Sequence, residues 1–289
     1  MIIQKKSYAK INLYLEILDK LPSGYHNIYT VMHKISLCDD ITIEIRAGKP
    51  GIEIFCDDKN VPTDKTNTAY KAASLFFGQI GMPPCVNITI EKKIPCMAGL
   101  GGGSSNAAAV LSALNEYYNS TLPENIMLEI AAKTGADVPF FVKNANCAVC
   151  EGIGEIVTPV YSDLSGYYCL ILKPAYNIST KKAFADFDRR LAAEKGTRAA
   201  VGADDPVRPQ IFTIHNDFEK IIFEQHKDVG ALKSLLLKSG ALSAGMSGSG
   251  SALFGVFENF QAAQKCADRI SVSHKNIPIE FCGVFEFLS

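Results

Sequence analysis

One lysine and one aspartate stand alone among apolar residues and are the first candidates for chemistry. Lys10 interrupts the alternating apolar stretch of residues 8–18, and Asp137 lies between Ala136 and Val138. A neighbouring lysine favours the ionised carboxylate and stabilises charge on a transferring group, while the carboxylate accepts a proton from an alcohol. We expect this pair to serve phosphoryl transfer to an alcohol. The alternatives are a cap at a helix end or turn for Asp137, and a solvent-facing strand edge for Lys10.

A glycine-rich segment supplies the second candidate. Gly99, Gly101, Gly102 and Gly103 fall within five positions and leave backbone N–H groups uncovered. The next two residues are serines, which we expect to cap an alanine-rich helix over residues 104–118. The N-terminus of a helix carries a partial positive charge, so loop and helix together predict a phosphate site. The alternative is a flexible linker.

This segment differs from the two common phosphate-binding motifs. A Walker loop places lysine directly after the last glycine, where Ser104 stands here. Ser104 also replaces the third glycine of the dinucleotide fingerprint, and the acidic residue that this motif requires is missing. The positive charge that a Walker lysine would supply must therefore come from Lys10, Lys92, Lys93 or a bound Mg²⁺.

A second glycine-rich loop covers residues 245–251, between two apolar segments. It suits a strand–turn–strand hairpin, or a second backbone surface that approaches phosphate or substrate. Beside the first loop, the second interpretation is the better one.

The turn over residues 22–27 carries an aromatic residue beside an imidazole, Tyr25 and His26. Such a pair can stack on a heteroaromatic base and form hydrogen bonds with it, or it is ordinary loop packing. Cys147 and Cys150 form a single CxxC pair, whose members face opposite sides of a strand and cannot share a metal.

Composition limits the class of protein to which these residues belong. The chain has 289 residues, 47% of them hydrophobic, with a net charge of −1 and nine cysteines. This apolar content excludes disorder, and the balanced charge gives no reason to expect nucleic acid or an anionic membrane as a partner. No apolar run reaches the roughly 18 residues that span a bilayer. An odd number of scattered cysteines fits reduced thiols, so we expect a cytoplasmic α/β protein.

Apolar residues at every second position predict strands, and apolar residues at helical spacing predict helices. These elements position the candidate residues. The predicted strands are residues 8–18, 28–37, 41–46, 51–56, 86–90, 145–151, 153–158, 167–173, 251–257 and 279–287. The predicted helices are residues 67–80, 104–118, 123–133, 179–187, 217–225, 229–239 and 260–270. We expect two domains, residues 1–158 and 159–289, and a mobile loop or lid in the charged stretch 186–209.

Five segments occur in an order that is known from one family. They are Ala9–Leu13, Pro22–His26, Gly99–Ala108, Gly135–Pro139 and Asn216–Glu219. Together they resemble the GHMP kinase superfamily, and within it the branch whose acceptor is a cytidyl-diphosphate sugar alcohol. The resemblance covers nearly the whole chain.

The resemblance implies a two-domain α/β (α+β) GHMP kinase fold. Its N-terminal domain resembles ribosomal protein S5 and binds ATP, and its C-terminal domain is ferredoxin-like and completes the substrate site. The implied reaction is ATP-dependent phosphorylation of the 2-hydroxyl of 4-diphosphocytidyl-2-C-methyl-D-erythritol, in the non-mevalonate isoprenoid pathway. The implied cofactors are ATP and Mg²⁺, and the partner is this small molecule alone, bound by a monomer or homodimer.

The resemblance also assigns roles to residues of this chain. Lys10 and Asp137 match the catalytic pair, Tyr25, His26 and Phe184 the cytosine pocket, and Asn12 and Thr180 polar contacts with the substrate. Asn67 falls where adenine is contacted, and Ser105 where some relatives hold Mg²⁺, although no carboxylate partner can be placed. The ATP loop comprises Pro95, Cys96, Met97, Ala98, Gly99, Leu100, Gly101, Gly102, Gly103, Ser104 and Ser105.

Three other functions compete with this interpretation. A GHMP kinase for another alcohol would keep the glycine loop but has no reason to keep Tyr25 and His26. A nucleotide-binding sensor would lose Lys10 or Asp137. An RNA-binding protein with an S5-like fold would need a basic face. Residues 186–213 match no pattern of the family, so their role stays open.

Overall fold

Two β-sheets with helices on their outer faces make up four layers. The computed structural model describes residues 1–193, 213–273 and 277–289. The strands are β1 Ile2–Lys20, β2 His26–Ile45, β3 Gly51–Cys56, β4 Cys85–Glu91, β5 Cys147–Glu151, β6 Ile156–Pro159, β7 Tyr168–Pro174, β8 His215–Asn216, β9 Ser243–Met246, β10 Leu253–Phe257 and β11 Ile279–Glu286. The helices are α1 Thr68–Ile80, α2 Gly102–Tyr117, α3 Glu124–Thr134, α4 Val138–Val142, α5 Thr180–Ala193, α6 Phe218–Gln225, α7 Lys227–Lys238 and α8 Phe260–Ser273.

The first sheet has the order β3-β4-β2-β1-β8, and β5 pairs with both β2 and β6. Apolar residues of α1 to α4 cover one of its faces. Its other face packs against the second sheet, where Ile11 and Val31 meet Ile171 and Phe254. Lys10 and Asn12 alternate with the apolar residues of β1, so both point towards the helices, as the strand period predicts.

The second sheet is antiparallel, with the order β11-β7-β10-β9. The first helical connection, between β7 and β9, contains α5, α6 and α7, and the second, between β10 and β11, is α8. This is the ferredoxin-like arrangement. The α/β fold class with an S5-like and a ferredoxin-like part is therefore confirmed.

The two predicted strands 28–37 and 41–46 are one strand in the structure, β2. Its pairing with β1 shifts between Tyr8 and Ala9, where the partner changes from Cys38 to Ile35. This bulge lets β2 bend instead of ending. The polar pair Asp39 and Asp40, which suggests a break in the sequence, lies inside the strand.

Other elements also differ from the prediction. Helix α4 and strands β8 and β9, which have five, two and four residues, were not predicted. Helix α5 continues to Ala193, so the first part of the predicted lid is helical, and Arg190 there pairs with Glu224 of α6 at 2.7 Å. The rest of the stretch predicted as a lid lies outside the described residues.

The predicted division at residue 158 falls next to the end of β6 at Pro159. Strand β8 lies beyond this division but pairs with β1 of the first sheet. The domains 1–158 and 159–289 stay a prediction. None of the helices in the described ranges is both long and apolar enough to cross a membrane.

Candidate active site

Lys10 and Asp137 lie side by side, although 127 positions separate them in the chain. Lys10 Nζ lies 3.3 Å from Asp137 Oδ2 and donates a hydrogen bond to Asn12 Oδ1 at 2.6 Å. Lys10 is buried, whereas 28% of the Asp137 side chain is exposed to the cavity before it. The arrangement holds a cation in place and leaves the carboxylate open to a ligand.

Asn12 is fixed in one orientation by the strands around it. Its Nδ2 donates to Thr30 Oγ1 at 2.8 Å, and Thr30 Oγ1 donates to the carbonyl oxygen of Tyr14 at 2.6 Å. The amide oxygen of Asn12 therefore faces Lys10. The predicted alternative, a solvent-facing edge for Lys10, is wrong because both side chains are buried between β1 and α2.

The glycine-rich loop and α2 form a cavity of about 370 Å³. Gly101 has a left-handed backbone (φ 72°) and begins the helix, with no hydrogen bond from a side-chain cap. The predicted serine cap is therefore wrong, because this glycine turns the chain into the helix before Ser104 is reached. The amides of Gly102, Gly103 and Ser104 precede the first helical hydrogen bond, from Ser105 N to Gly101 O at 2.9 Å.

Most of the predicted ATP loop lines this cavity. The lining contains Pro95, Cys96, Met97, Ala98, Gly99, Leu100, Gly101, Gly102, Gly103 and Ser104, together with residues 60–62, residues 66–68, Lys92 and Asn106. Exposed backbone amides at the positive end of a helix suit the phosphates of a nucleotide. Partial burial raises the pKa of the Cys96 thiol to about 11, so this cysteine is a neutral part of the wall.

Lys92, one of the lysines predicted to supply charge to the glycine loop, lies beside that loop. A Cβ atom on Gly102 would lie 3.1 Å from Lys92 Nζ, so the ammonium sits at the first turn of α2. The side chain of Lys92 is 7% exposed, whereas that of Lys93 is 57% exposed and pairs with Asp40 at 2.6 Å.

Asp39 holds this region together and was missed in the sequence. Its buried carboxylate accepts hydrogen bonds from Lys92 Nζ (2.5 Å), Lys93 N (2.7 Å), Ile94 N (2.8 Å) and Asn106 Nδ2 (2.8 Å). It therefore fixes the start of the glycine loop to the first turns of α2. The signal that could have found it is an acidic residue within an apolar strand pattern.

Asn67, predicted to contact adenine, and Ser105, predicted to bind Mg²⁺, have surroundings that the sequence did not predict. Asn67 lines the cavity but caps α1, because its Oδ1 accepts from Ala69 N (2.8 Å) and its Nδ2 donates to Pro62 O (2.6 Å). Ser105 is buried and lines a separate cavity with Lys34 on another side of α2. The magnesium ligand predicted at Ser105 is thus not part of the nucleotide cavity, because successive helical residues point about 100° apart.

A larger cavity of about 810 Å³ lies beside the first. Gly99 and Gly101 line both cavities, and Lys10 and Asp137 line the larger one. The larger cavity also contains all predicted substrate contacts: Asn12, Tyr25, His26, Thr180 and Phe184. Lys10 lies next to one of the two shared glycines, since a Cβ atom on Gly101 would lie 3.0 Å from Lys10 Cγ.

An aromatic cluster forms the far end of the larger cavity. The ring of His26 stacks on Phe184, with centroids 4.9 Å apart and planes 12° apart. Tyr25 is 62% exposed at the rim. The flat rings of His26 and Phe184, with the accessible ring of Tyr25 nearby, suit a planar heteroaromatic base.

Asp188 of α5 is a second residue that the sequence did not reveal. Its Oδ1 lies 2.7 Å from His26 Nε2, and its Oδ2 lies 2.5 Å from Lys20 Nζ. Partial burial opposes ionisation, but the hydrogen bonds from Lys20 and His26 outweigh it and lower the pKa of Asp188. The carboxylate fixes the orientation of the imidazole.

The second glycine loop is both a hairpin and a wall of the site. It joins the antiparallel strands β9 and β10, and it packs on the first loop. Ser247 Oγ donates to Gly99 O at 2.8 Å, and Thr180 Oγ1 lies 2.8 Å from Ser249 Oγ. The predicted hairpin is therefore confirmed, and the approach of this loop to phosphate or substrate stays a prediction.

The segment Asn216–Glu219 braces this loop instead of lining the nucleotide cavity. Asn216 Nδ2 donates to the carbonyl oxygens of Met246 (2.7 Å) and Gly248 (2.8 Å). Asp217 Oδ2 accepts from Ile17 N at 2.8 Å, and Glu219 Oε1 accepts from Met246 N at 2.8 Å. These bonds fix the second loop to β1, which carries Lys10.

The side chains of the site determine whether it suits a magnesium ion. The described residues contain no group of three or more histidine, cysteine, aspartate or glutamate side chains that could hold a metal ion. Asp137 offers one carboxylate at the junction of the cavities. This set fits Mg²⁺, which is commonly bound by one or two carboxylates together with substrate phosphates.

Comparisons with known proteins agree with this geometry. Two sequence families match the chain, the GHMP kinases N terminal domain over residues 67–144 and the GHMP kinases C terminal domain over residues 199–274. A protein of Caldicellulosiruptor saccharolyticus named 4-diphosphocytidyl-2-C-methyl-D-erythritol kinase is 38% identical over 98% of each chain. A Clostridium novyi protein of the same name is 34% identical over 95% of this chain and 98% of its own.

A solved structure resembles the whole fold. The crystal structure of a 4-(cytidine 5'-diphospho)-2C-methyl-D-erythritol kinase superposes with a TM-score of 0.78 and 28% identity, over 98% of this chain and 99% of that chain.

Proposed function

The chain belongs to the GHMP kinase family, in the group of 4-diphosphocytidyl-2-C-methyl-D-erythritol kinases, and from this premise we propose the reaction that it catalyses. It transfers the γ-phosphoryl group of ATP to the 2-hydroxyl of 4-diphosphocytidyl-2-C-methyl-D-erythritol. The products are ADP and the 2-phosphate, an intermediate of the non-mevalonate route to isoprenoids. The chain is thus a small-molecule kinase with an alcohol acceptor.

We assign the reacting groups to the junction of the two cavities. The hydroxyl oxygen attacks the γ-phosphorus, the bond from phosphorus to the leaving oxygen of ADP breaks, and Asp137 accepts the hydroxyl proton. Lys10 stabilises negative charge on the acceptor oxygen and the transferring group. Its 3.3 Å distance from Asp137 Oδ2 and its burial support this role.

Positioning contributes more than proton transfer in this account. A general base typically contributes about 10²–10⁴-fold, whereas holding reactants in line contributes about 7–11 kcal/mol. The glycine loop and Lys92 would hold the phosphates of ATP on one side. The braced second glycine loop and the cavity wall would hold the acceptor on the other side.

Mg²⁺ is the metal that we propose for this site, and it would be carried by the phosphates of ATP, while Asp137 stays the proton acceptor. When bound, it neutralises phosphate charge. Asn67 fixes the nucleotide wall through its bonds to Pro62 O and Ala69 N, and each of its amide atoms can form a second hydrogen bond, with adenine in this proposal.

The aromatic cluster selects the cytidyl group in this proposal. Cytosine would stack on Tyr25 and Phe184 and form a hydrogen bond with His26, while Asn12 and Thr180 contact the rest of the substrate. The cavity of about 810 Å³ is of a size that suits a nucleotide-linked sugar alcohol. A cytoplasmic monomer or homodimer without a nucleic-acid partner stays the prediction of the sequence.

One observation carries the proposal: the buried Lys10 and the open Asp137 stand where an acceptor cavity and a nucleotide cavity share Gly99 and Gly101. ADP release with ATP and Mg²⁺ tests it, with the cytidyl substrate, mevalonate, homoserine and galactose as separate acceptors. We expect turnover with the cytidyl substrate alone. Turnover with another acceptor would keep the kinase and reject the cytosine pocket, and ATP binding without any turnover would favour a sensor.

A further inference from the structure

A third cavity, of about 270 Å³, lies behind the glycine loop and is used by no step of the proposed reaction. Lysines from two strands line it: Lys5 and Lys6 of β1, and Lys34 of β2. Helix α2 contributes Ser105, Ser112 and Glu116, and the segment from α4 onwards contributes Phe141, Val142 and Asn144. Adjacent strand residues point to opposite faces, so Lys5, which bonds Glu116 of α2, faces this space and Lys6 faces away from it. Lys5, Lys34 and Glu116 leave the space with a net positive charge, although the whole chain carries −1.

Lys34 is the unusual member of this cavity. It is 5% exposed, and its ammonium lies 5.6 Å and 6.0 Å from the ring centroids of Phe140 and Phe141. Among the described residues, the ammonium group has one hydrogen bond, a long one of 3.5 Å to Asn144 Oδ1. Within the described part of the chain, no carboxylate oxygen lies within 4.0 Å of Lys34 Nζ.

The neighbouring charges do not offset this burial. Glu116, the one acidic group of the cavity, is engaged at 2.7 Å with Lys5. Lys34 stands directly opposite Lys10 in the β1–β2 pairing, on the same face of the sheet. Like charges at opposite positions of a sheet destabilise it, and a buried unpaired ammonium costs further free energy. Burial accordingly lowers the pKa of Lys34 to about 8.

We propose that this cavity, which we call the rear basic cavity, binds a phosphate group, with Lys34 as its innermost contact. Lys34 has no anionic partner among the described residues, Lys5 adds a second ammonium, and Ser105 and Ser112 of α2 line the same space. A phosphate oxyanion accepts several such hydrogen bonds at once. The volume admits a free phosphate ion or the phosphate group of a small metabolite.

The rear basic cavity is separate from the nucleotide cavity, and the two share no lining residue. Phe141 packs on the other side against the loop, since a Cβ atom on Gly101 would lie 3.0 Å from its Cζ. The proposal does not rest on the kinase reaction, because none of its lysines takes part in that reaction.

Nuclear magnetic resonance of the full chain tests this site directly. Lysines labelled with ¹³C at Cε report their own titration, and the Lys34 resonance is assigned by its loss in Lys34→Met. We expect inorganic phosphate to raise the pKa of Lys34 by about one unit or more, since an anion favours the charged form. An unchanged Lys34 pKa overturns the proposal, and this readout uses the unaltered chain.

Calorimetric titration with the nucleotide site saturated by ADP identifies the source of the phosphate. Inorganic phosphate and glycerol 3-phosphate are titrated into the unaltered chain, into Lys34→Met, and into Lys265→Met as the matched control on exposed α8. Loss of Lys34 weakens binding about 10–100-fold, as removal of a charged hydrogen bond does. Binding of phosphate alone identifies the free ion, and binding of both identifies a phosphate ester. Equal affinity in the Lys34 and Lys265 variants overturns the proposal.

Discussion

At the scale of single residues, the division of labour between Lys10 and Asp137 follows from their surroundings. Lys10 is enclosed by Asn12 and the loop, since its backbone N–H donates to Leu100 O at 3.0 Å. Asp137 has an exposed fraction of 28% and faces the acceptor cavity. Lys10 is therefore held in one position, whereas the carboxylate of Asp137 is accessible to a ligand.

Asp137→Asn tests the proton acceptor. Asparagine keeps the shape but cannot accept the proton in the same way, so we expect kcat to fall about 10²–10⁴-fold with little change in KM for ATP. Steady-state kinetics with Asp163→Asn as control, an exposed aspartate outside both cavities, measure this. A rise in KM for ATP with kcat preserved would assign Asp137 to nucleotide binding instead.

Tyr25→Ala tests the aromatic end of the acceptor cavity. Loss of stacking on a base costs about 1–3 kcal/mol, so we expect KM for the cytidyl substrate to rise about 5–150-fold. KM for ATP should not change, because Tyr25 does not line the nucleotide cavity. Tyr161→Ala, which removes another exposed ring, is the control. An unchanged KM for the acceptor would remove Tyr25 from the pocket.

Single residues also show what sequence can and cannot reveal. Lys10 and Asp137 could be predicted because a lone charge breaks an apolar pattern. Asp39 also breaks an apolar pattern, but it stands beside Asp40, so the pair resembles the end of a strand. Asp188 lies in a charged stretch, where one acidic residue does not stand out. Ser105 lies outside the nucleotide cavity because a motif gives the order of residues but not the side of the helix, and its role as a magnesium ligand stays a prediction.

At the scale of elements, the two glycine loops act as one unit. Gly99 has a left-handed backbone (φ 77°), and a Cβ atom there would lie 2.1 Å from Ser247 O. Ala252 N donates to Ala98 O at 3.1 Å beside this contact. The ATP loop therefore keeps its shape only against the hairpin of the second sheet.

Gly99→Ala tests this contact. We expect backbone strain and steric overlap to cost about 1–3 kcal/mol each, and ATP affinity to fall as the loops separate. Gly166→Ala is the matched control, because Gly166 is also left-handed (φ 84°) but has no atom within 4 Å of a Cβ. Denaturant unfolding and ATP titration provide the measurements. Equal losses of stability and of ATP affinity in the two variants would show that backbone strain, and not the contact with Ser247, causes the effect.

The positions of helices and strands could be predicted where apolar residues recur at regular spacing. Helices α1, α3 and α8 begin within one or two residues of the prediction, because periodic apolar residues and end signals agree. Strand β2 was divided in two because Asp39 and Asp40 resemble a break. Their carboxylates are satisfied by Lys92 and Lys93, which the local pattern of β2 cannot show.

At the scale of the whole molecule, the end of the chain connects the two sheets. Phe287 forms a bridge with Ile35 of β2, and Leu288 N donates to Lys34 O at 3.2 Å. The ring of Phe287 meets His33 edge to face, with centroids 5.1 Å apart. His33 is thus buried where the two sheets join.

This location predicts acid sensitivity. Burial lowers the pKa of His33 to about 4, against a partly opposing hydrogen bond to Lys34 O. Because the unfolded chain takes up the proton near pH 6.5, stability falls as pH drops from 6.5 to 4, by up to roughly 3 kcal/mol. Denaturant unfolding across this range should show a shallower loss for His33→Asn than for the unaltered chain. Parallel curves would contradict the prediction.

The central claim concerns where the phosphate goes, and ³¹P nuclear magnetic resonance of the product tests it most directly. Carbon 2 of the acceptor carries a methyl group and no hydrogen, so its phosphate ester has no three-bond coupling to a proton. We predict that the chain, with ATP and Mg²⁺, converts the cytidyl substrate into a product with one new uncoupled phosphomonoester signal. A triplet or a doublet would place the phosphate on a primary or secondary hydroxyl and contradict the account.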